Sequence, residues 1–150
     1  MIRDDIKAST IAAMKGGDKD TTATLRLASA AIKNRDIEAR TGGVAKDDDA
    51  LVTEVLQKMI KQRRESAELY RKGGREDRAA AEEGEIAIIE RFLPAQLSDA
   101  EADAKIRDII AETSASSMKD MGRVMALVKE RLGTSIEPAR ASALVKAALS

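Results

Sequence analysis

The chain has 150 residues, 43% of them hydrophobic, with 26 basic and 26 acidic side chains and no net charge. That length and apolar fraction support one ordinary domain or two small ones and exclude a disordered chain, and the balanced charge excludes a strongly basic nucleic-acid binder. Cys, His and Trp are absent and only Tyr70 and Phe92 are aromatic, which removes disulfides, thiol nucleophiles, imidazole bases and the usual zinc ligands, and points to an all-α fold.

Residues 2 to about 15 read as a first helix, with Ile2, Ile6 and Ala13 apolar, Asp4 and Asp5 complementing the helix dipole at its start, and Gly16-Gly17 ending it. A second helix follows Asp18 to Asp20, carries Leu25, Ala28 and Ile32 on one stripe, and runs to about Arg40 before a loop at Thr41-Gly42-Gly43. Asp47-Asp48-Asp49 opens a third. Its apolar residues Val52, Val55, Leu56, Met59 and Ile60 recur at helical spacing and continue through Ala67 and Tyr70 to Gly73-Gly74. A fourth spans about Asp77 to Phe92, with Ile86, Ile89 and Leu93 inward, Gly84 as a weak spot, and Leu93-Pro94 as its end.

Beyond Pro94 the helices shorten. Ser98-Asp99-Ala100-Glu101 reads as a capping box ahead of Ile106, Ile109 and Ile110. Ser117-Met118-Lys119-Asp120 is a looser version opening a helix from Met121 to about Leu132, stopped by Gly133. The last helix starts at Pro138 and carries Leu144, Val145, Ala148 and Leu149. The pattern predicts two helical domains: residues 1–94 with about four helices, and a small three-helix domain over 95–150. Charge balances in each part, with 18 residues of each sign before Pro94 and 8 of each after it.

Lys58 to Arg75 is the most basic stretch, with seven Lys and Arg against two Glu. Projected at about 100° per residue, Lys58, Lys61, Glu65, Glu68 and Lys72 oppose the apolar stripe as a mixed-sign solvated face. Arg63 falls inside the stripe. A pair with Glu82, Glu83 or Glu85 is the structural reading of Arg63, and an anion site shared with Arg64 and Arg71 is the functional one.

Catalytic motifs are absent. Without His there is no Ser-His or Cys-His dyad, the paired glycines match no phosphate loop, and the acidic pairs suit capping and solubility. The reading assigns no catalytic residue, no cofactor and no metal. From Ser117 to the end, Lys119, Arg123, Lys129, Arg131, Arg140 and Lys146 outnumber Asp120, Glu130 and Glu137, and Gly122 lies within that basic segment as a candidate for close helix packing. The absence of Cys points to a reducing cytoplasm and no apolar run is long enough for a signal core or a membrane span, so the expectation is a soluble, cytoplasmic protein.

The segments TLRLASAAIKNRDIEAR (24–40), KMIKQRRESAELYRKGGRED (58–77), EIAIIERFLPAQLS (85–98) and SSMKDMGRVMALVKERLG (116–133) together resemble the GatB/YqeY family over essentially the whole chain. In that family the C-terminal three-helix unit is similar to the tail domain of the B subunit of the glutamine-dependent tRNA amidotransferase, which contacts tRNA. The resemblance implies that residues 95–150 are a tail-like domain and that the chain is a non-catalytic accessory binding tRNA or an aminoacyl-tRNA-handling enzyme. It implies Lys119, Arg123 and Lys129 as phosphate contacts, and Arg26, Lys61, Arg63 and Arg64 as candidates in the first domain. Where the family often has a second glycine this chain has Ala126. An adaptor with a helix-binding groove is the alternative. A carbon–nitrogen ligase using glutamine is the third, and the absence of His, Cys and a nucleotide loop speaks against it.

Overall fold

With almost no aromatic residues, the chain has to build its core from Ile, Leu, Val, Met and Ala, and such side chains pack as single stripes on helices. The computed structural model describes residues 1–42 and 47–150, and every regular element among them is helical, as expected. The chain divides into two units, Met1–Leu93 and Pro94–Ser150.

The first unit holds α1 (Ile2–Lys15), α2 (Lys19–Gly42), α3 (Asp48–Lys72) and α4 (Glu76–Glu90). Its core joins Ile6 of α1, Leu25, Ala28 and Ile32 of α2, Val52, Val55, Leu56, Met59 and Ile60 of α3, and Ile86, Ile88 and Ile89 of α4. Ile2 and Leu93 pack at its margin. Burying a side chain of this kind contributes roughly 1.5–3 kcal/mol.

The turns are set by local chemistry. Gly17, at φ +72°, turns the chain between α1 and α2, and the Asp18 carboxylate accepts the Thr21 N–H at 3.1 Å to open α2. Helix α2 runs past the expected stop into Thr41 and Gly42, where the Thr41 hydroxyl donates to the Glu38 carbonyl at 3.0 Å and holds the last turn. Gly43, the rest of the expected loop, lies outside the described residues.

The three consecutive aspartates before α3 have three tasks. Asp47 accepts the Ala50 N–H at 3.2 Å as the helix cap. Asp49 accepts the Ile2 N–H at 3.0 Å, satisfying the start of α1. Asp48 accepts from the Arg3 guanidinium at 2.8 Å, and Arg3 also clasps both Asp36 oxygens, at 2.8 and 2.9 Å. One arginine thus joins α1 to α2 and to the entry of α3. Arg3 holds the Asp36 carboxyl below the usual carboxylate range, mainly through these hydrogen bonds.

The second unit holds α5 (Asp99–Thr113), a 3-10 turn at Met118–Asp120, α6 (Met121–Leu132), a second such turn at Gly133–Ser135, and α7 (Pro138–Leu149). Ala102, Ile106, Ile109, Val124, Val128, Ile136, Ala141, Val145 and Leu149 form its core. The Ser98–Glu101 capping box forms in both directions. In the looser Ser117–Asp120 version only the acid acts: Asp120 reaches back to the Ser116 N–H at 3.0 Å, and the Ser117 hydroxyl caps nothing. Ile110 and Leu144 are half-buried, and Ala148, in the last turn of α7, is exposed although Ala141, seven residues earlier, is buried.

The start of α5 is tied to the chain before α7. The Leu97 N–H donates to the Ser135 carbonyl at 2.8 Å, Gln96 Nε2 donates to the Thr134 carbonyl at 2.8 Å, and Arg140 of α7 joins Asp99 and the Leu97 carbonyl.

Replacing Arg3 by Ala is expected to lower the urea-unfolding free energy of the first unit by about 1–2 kcal/mol, since two half-exposed charged pairs and their network are lost. Because the folded-state value for Asp36 lies below its unfolded one, its contribution is complete above the ordinary carboxylate range and disappears as pH falls through the lower folded value. Asp36→Asn should therefore flatten the acid limb of a stability–pH curve below about pH 4.

Candidate nucleic-acid interface

A phosphate-binding surface needs cations that are exposed and not already neutralised. In the Lys58–Arg75 stretch most are neutralised. Arg63, its side chain only 13% exposed, donates to Glu85 at 3.2 Å and to the Met59 carbonyl at 3.2 Å. Arg64 reaches Glu90 at 3.5 Å, Arg71 holds Glu76 at 2.9 Å and Glu83 at 2.6 Å, Lys72 pairs with Glu68 at 3.4 Å, and Arg75 with Asp77 at 3.1 Å. Only Lys58 and Lys61 of the seven make no ion pair among the described residues.

The acids come mainly from α4, which packs beside α3, so the α3 arginines fasten a helix pair. Glu83 raises the Arg71 pKa further, and Arg71 in turn lowers that of Glu83. A groove of about 540 Å³ lies over this region, lined by Arg64, Ala67, Glu68, Arg71, Lys72, Glu83 and Ile86. Its cations are the paired ones. The expected Arg63, Arg64 and Arg71 anion patch is therefore occupied by the chain's own carboxylates.

In the second unit the predicted residues lie at and along α6. Lys119 sits on the 3-10 turn before it, Arg123 on its first turns and Lys129 near its end; all three are exposed. Lys119 and Lys129 make no ion pair among the described residues, and Arg123 meets Asp120 at 3.2 Å through a guanidinium more than half exposed. Of the other cations in that segment, Arg131 is engaged by Glu112 and Arg140 by Asp99, while Lys146 makes no ion pair among the described residues. At helical spacing Lys129 shares a face with Gly122 and Ala126, Arg123 borders that face on the side that also carries Glu130, and Lys119 precedes the helix.

Gly122 does not serve the packing assigned to it. It is exposed, and a Cβ built on it would meet nothing within 4 Å. The α6 core contacts run through Val124 and Val128, on the opposite side. What Gly122 leaves is bare backbone on the same exposed face as Lys129.

Arg26 belongs to neither group. Its guanidinium reaches the Met14 sulfur at 3.5 Å and makes no ion pair among the described residues. Lys19, Lys33 and Arg40 of the same helix are likewise exposed and make no ion pair among the described residues. The sequence reading passed over these three, although their spacing of seven residues from Lys19 through Arg26 is visible in the sequence. Local charge density drew attention to Lys58–Arg75 instead.

The family model for YqeY-like proteins matches residues 3–149. The chain belongs to this family. Among curated relatives, "Altered inheritance of mitochondria protein 41, mitochondrial" of Lachancea thermotolerans is 34% identical over 120 residues, covering 77% of this chain and 59% of that protein. Its namesakes in Meyerozyma guilliermondii and Vanderwaltozyma polyspora are 32% and 30% identical, covering 78% and 73% of this chain and 62% and 60% of theirs. The chain thus spans about three fifths of the length of these relatives.

The expectation of a cytoplasmic protein is overturned by these relatives, whose names place them in mitochondria. Its premise was the absence of Cys, and a chain without thiols offers nothing for any compartment to oxidise, so that absence separates no compartments. Among the described residues no helix is long and apolar enough to cross a membrane.

Two outcomes separate packing from surface roles. Glu85→Ala is expected to destabilise the first unit by about 1–3 kcal/mol in urea unfolding, because it strands the nearly buried Arg63 charge, whereas Arg63→Met should cost less by filling the same space without a charge. Gly122→Ala and Gly84→Ala, each with open space for a methyl, should raise stability by roughly 0.5–1 kcal/mol in thermal melts.

Proposed function

We propose that this YqeY-like chain is a non-catalytic accessory that engages the phosphate backbone of structured RNA, with tRNA as the ligand class, and works beside an enzyme that handles aminoacyl-tRNA. The observation that carries the reading is the outer face of α6, where Lys129 shares a side with the bare backbone at Gly122, Arg123 borders that side and Lys119 sits on the turn before the helix, with both lysines making no ion pair among the described residues. Cations placed around exposed backbone suit a phosphodiester, which takes charge from Lys and Arg and hydrogen bonds without reference to base identity. The resemblance of residues 95–150 to an amidotransferase tail supports tRNA as the class.

Tyr70 and Phe92 are the chain's two aromatic residues, and both lie in the first unit, so base stacking has no platform in the second. Recognition by shape and backbone is what such a surface supports. The zero net charge agrees with modest affinity. The relatives' names concern the inheritance of mitochondria, and a mitochondrial tRNA-handling system is the setting this reading adopts for the chain.

Bulk tRNA binding measured against salt tests it. Three neutralised phosphates predict a loss of roughly 20- to 40-fold in affinity between 50 and 200 mM monovalent salt, and each of Lys119→Ala and Lys129→Ala should reduce the logarithmic salt slope by about one. Gly122→Ala should weaken binding while leaving the protein at least as stable. Absence of binding at low salt, or affinity indifferent to both lysines, would reject the reading.

A further inference from the structure

Helix α2 turns its core residues Thr22, Leu25, Ala28 and Ile32 inward, and its opposite side carries a second, independent pattern. Ala23, Leu27, Ala30, Asn34 and Ile37 recur at alternating steps of four and three residues. All five are exposed; Leu27 and Ile37, at 51% and 52%, are among the few large apolar side chains left to solvent. In heptad terms Leu27 and Asn34 occupy a, and Ala23, Ala30 and Ile37 occupy d.

The basic residues fall into the same register. Lys19, Arg26, Lys33 and Arg40 all occupy g, at intervals of about 10.5 Å along the helix. None makes an ion pair among the described residues, although the charge of Arg40 helps to lower the pKa of Asp36 one turn back, and the chain pairs most of its other arginines. On the far flank the e positions are Thr24, which is buried, Ala31, which is half-buried, and Glu38, which pairs with Arg35 at 3.8 Å. The seam is open on its a, d and g sides; the g row is wholly basic, while Asp20 stands at the first a position and Glu38 at the last e position.

We infer that the outer face of α2 receives an amphipathic helix of another protein, whose apolar a/d residues cover Leu27, Ala30 and Ile37 and whose flanking acidic residues meet Arg26, Lys33 and Arg40. Charge complementarity selects this occupant. A second copy lying antiparallel would set g against g, cation facing cation, and a parallel copy would offer Thr24, Ala31 and Glu38, with one acid among them and Thr24 already buried in its own unit. A polyphosphate would use the cations but gain nothing from Leu27 and Ile37. The apolar row in register with the basic row is what a helix matches. With Ala at d and Asn34 at a, the contact is shallow and suited to a reversible partner.

The inference is independent of the α6 reading, and its test uses the full chain. The probes are two three-heptad synthetic peptides with Leu at a and d, one carrying Glu and the other Lys at e and g, with binding followed by fluorescence anisotropy. The Glu peptide is expected to bind at least about tenfold more tightly than the Lys peptide. Leu27→Asp with Ile37→Asp should abolish that binding, and Arg26→Glu with Lys33→Glu should reverse the preference toward the Lys peptide. All four positions are exposed, so thermal melts should match the parent, and reversal by charge exchange cannot arise from misfolding. Equal binding of both peptides, binding of neither, or indifference to the Leu27 and Ile37 changes would overturn the proposal. So would self-association in sedimentation lost on those changes, or loss of bulk tRNA or anionic-vesicle binding in the Arg26 and Lys33 variant without any change in peptide preference.

Discussion

Ion pairing between α3 and α4 decides where this neutral chain keeps usable charge. Glu85, Glu90 and Glu83 of α4 take up Arg63, Arg64 and Arg71 of α3, and Arg63 lies nearly buried at the seam. Each exposed pair contributes little to stability, but together they convert the most basic stretch of sequence into a fastening between two helices. The same economy operates at Arg3, which spans Asp36 and Asp48 and so joins α1, α2 and the first turn of α3.

Once those pairs are assigned, unneutralised cations remain where no helix supplies a carboxylate. Besides scattered ones such as Lys58 and Lys61 of α3, they include a row on the outer side of α2 and a group around the outer face of α6, in separate units. The two faces differ in kind. At α6 the cations accompany a glycine with open space above it, which admits a backbone or a phosphate closely. On α2 they border an apolar row at seven-residue spacing, which suits a helix. An accessory protein with two such faces would bring two partners together, a role that needs no catalytic group of its own.

Much of the architecture was legible in one dimension because helices announce themselves locally. The capping box at Ser98 and Glu101, the turn at Gly17, the stop at Gly73 and the inward stripes of α2 and α3 each depend on residues within a few positions of one another. Local rules also reach their limit visibly. Thr41 carried α2 past its predicted end through a hydroxyl contact one turn back, and Ala148 is exposed in the last turn of α7 although Ala141, seven residues earlier, is buried. Gly122, read as a packing residue, faces solvent, since which side of α6 is covered depends on α5 and α7.

Composition and periodicity were therefore sufficient for an all-helical chain with aliphatic cores, since burial of apolar stripes is encoded by spacing along each helix. The tasks of individual charges were not recoverable that way. Arg3 meets Asp48 across 45 positions and Arg63 meets Glu85 across 22, and a sequence does not say which of many Asp and Glu residues will lie within 4 Å of a given guanidinium. Folding makes that choice by packing the apolar stripes first in energetic weight, and the charges pair with whatever the packing brings near. Which cations stay free, and hence which surfaces are available to partners, is settled at that level.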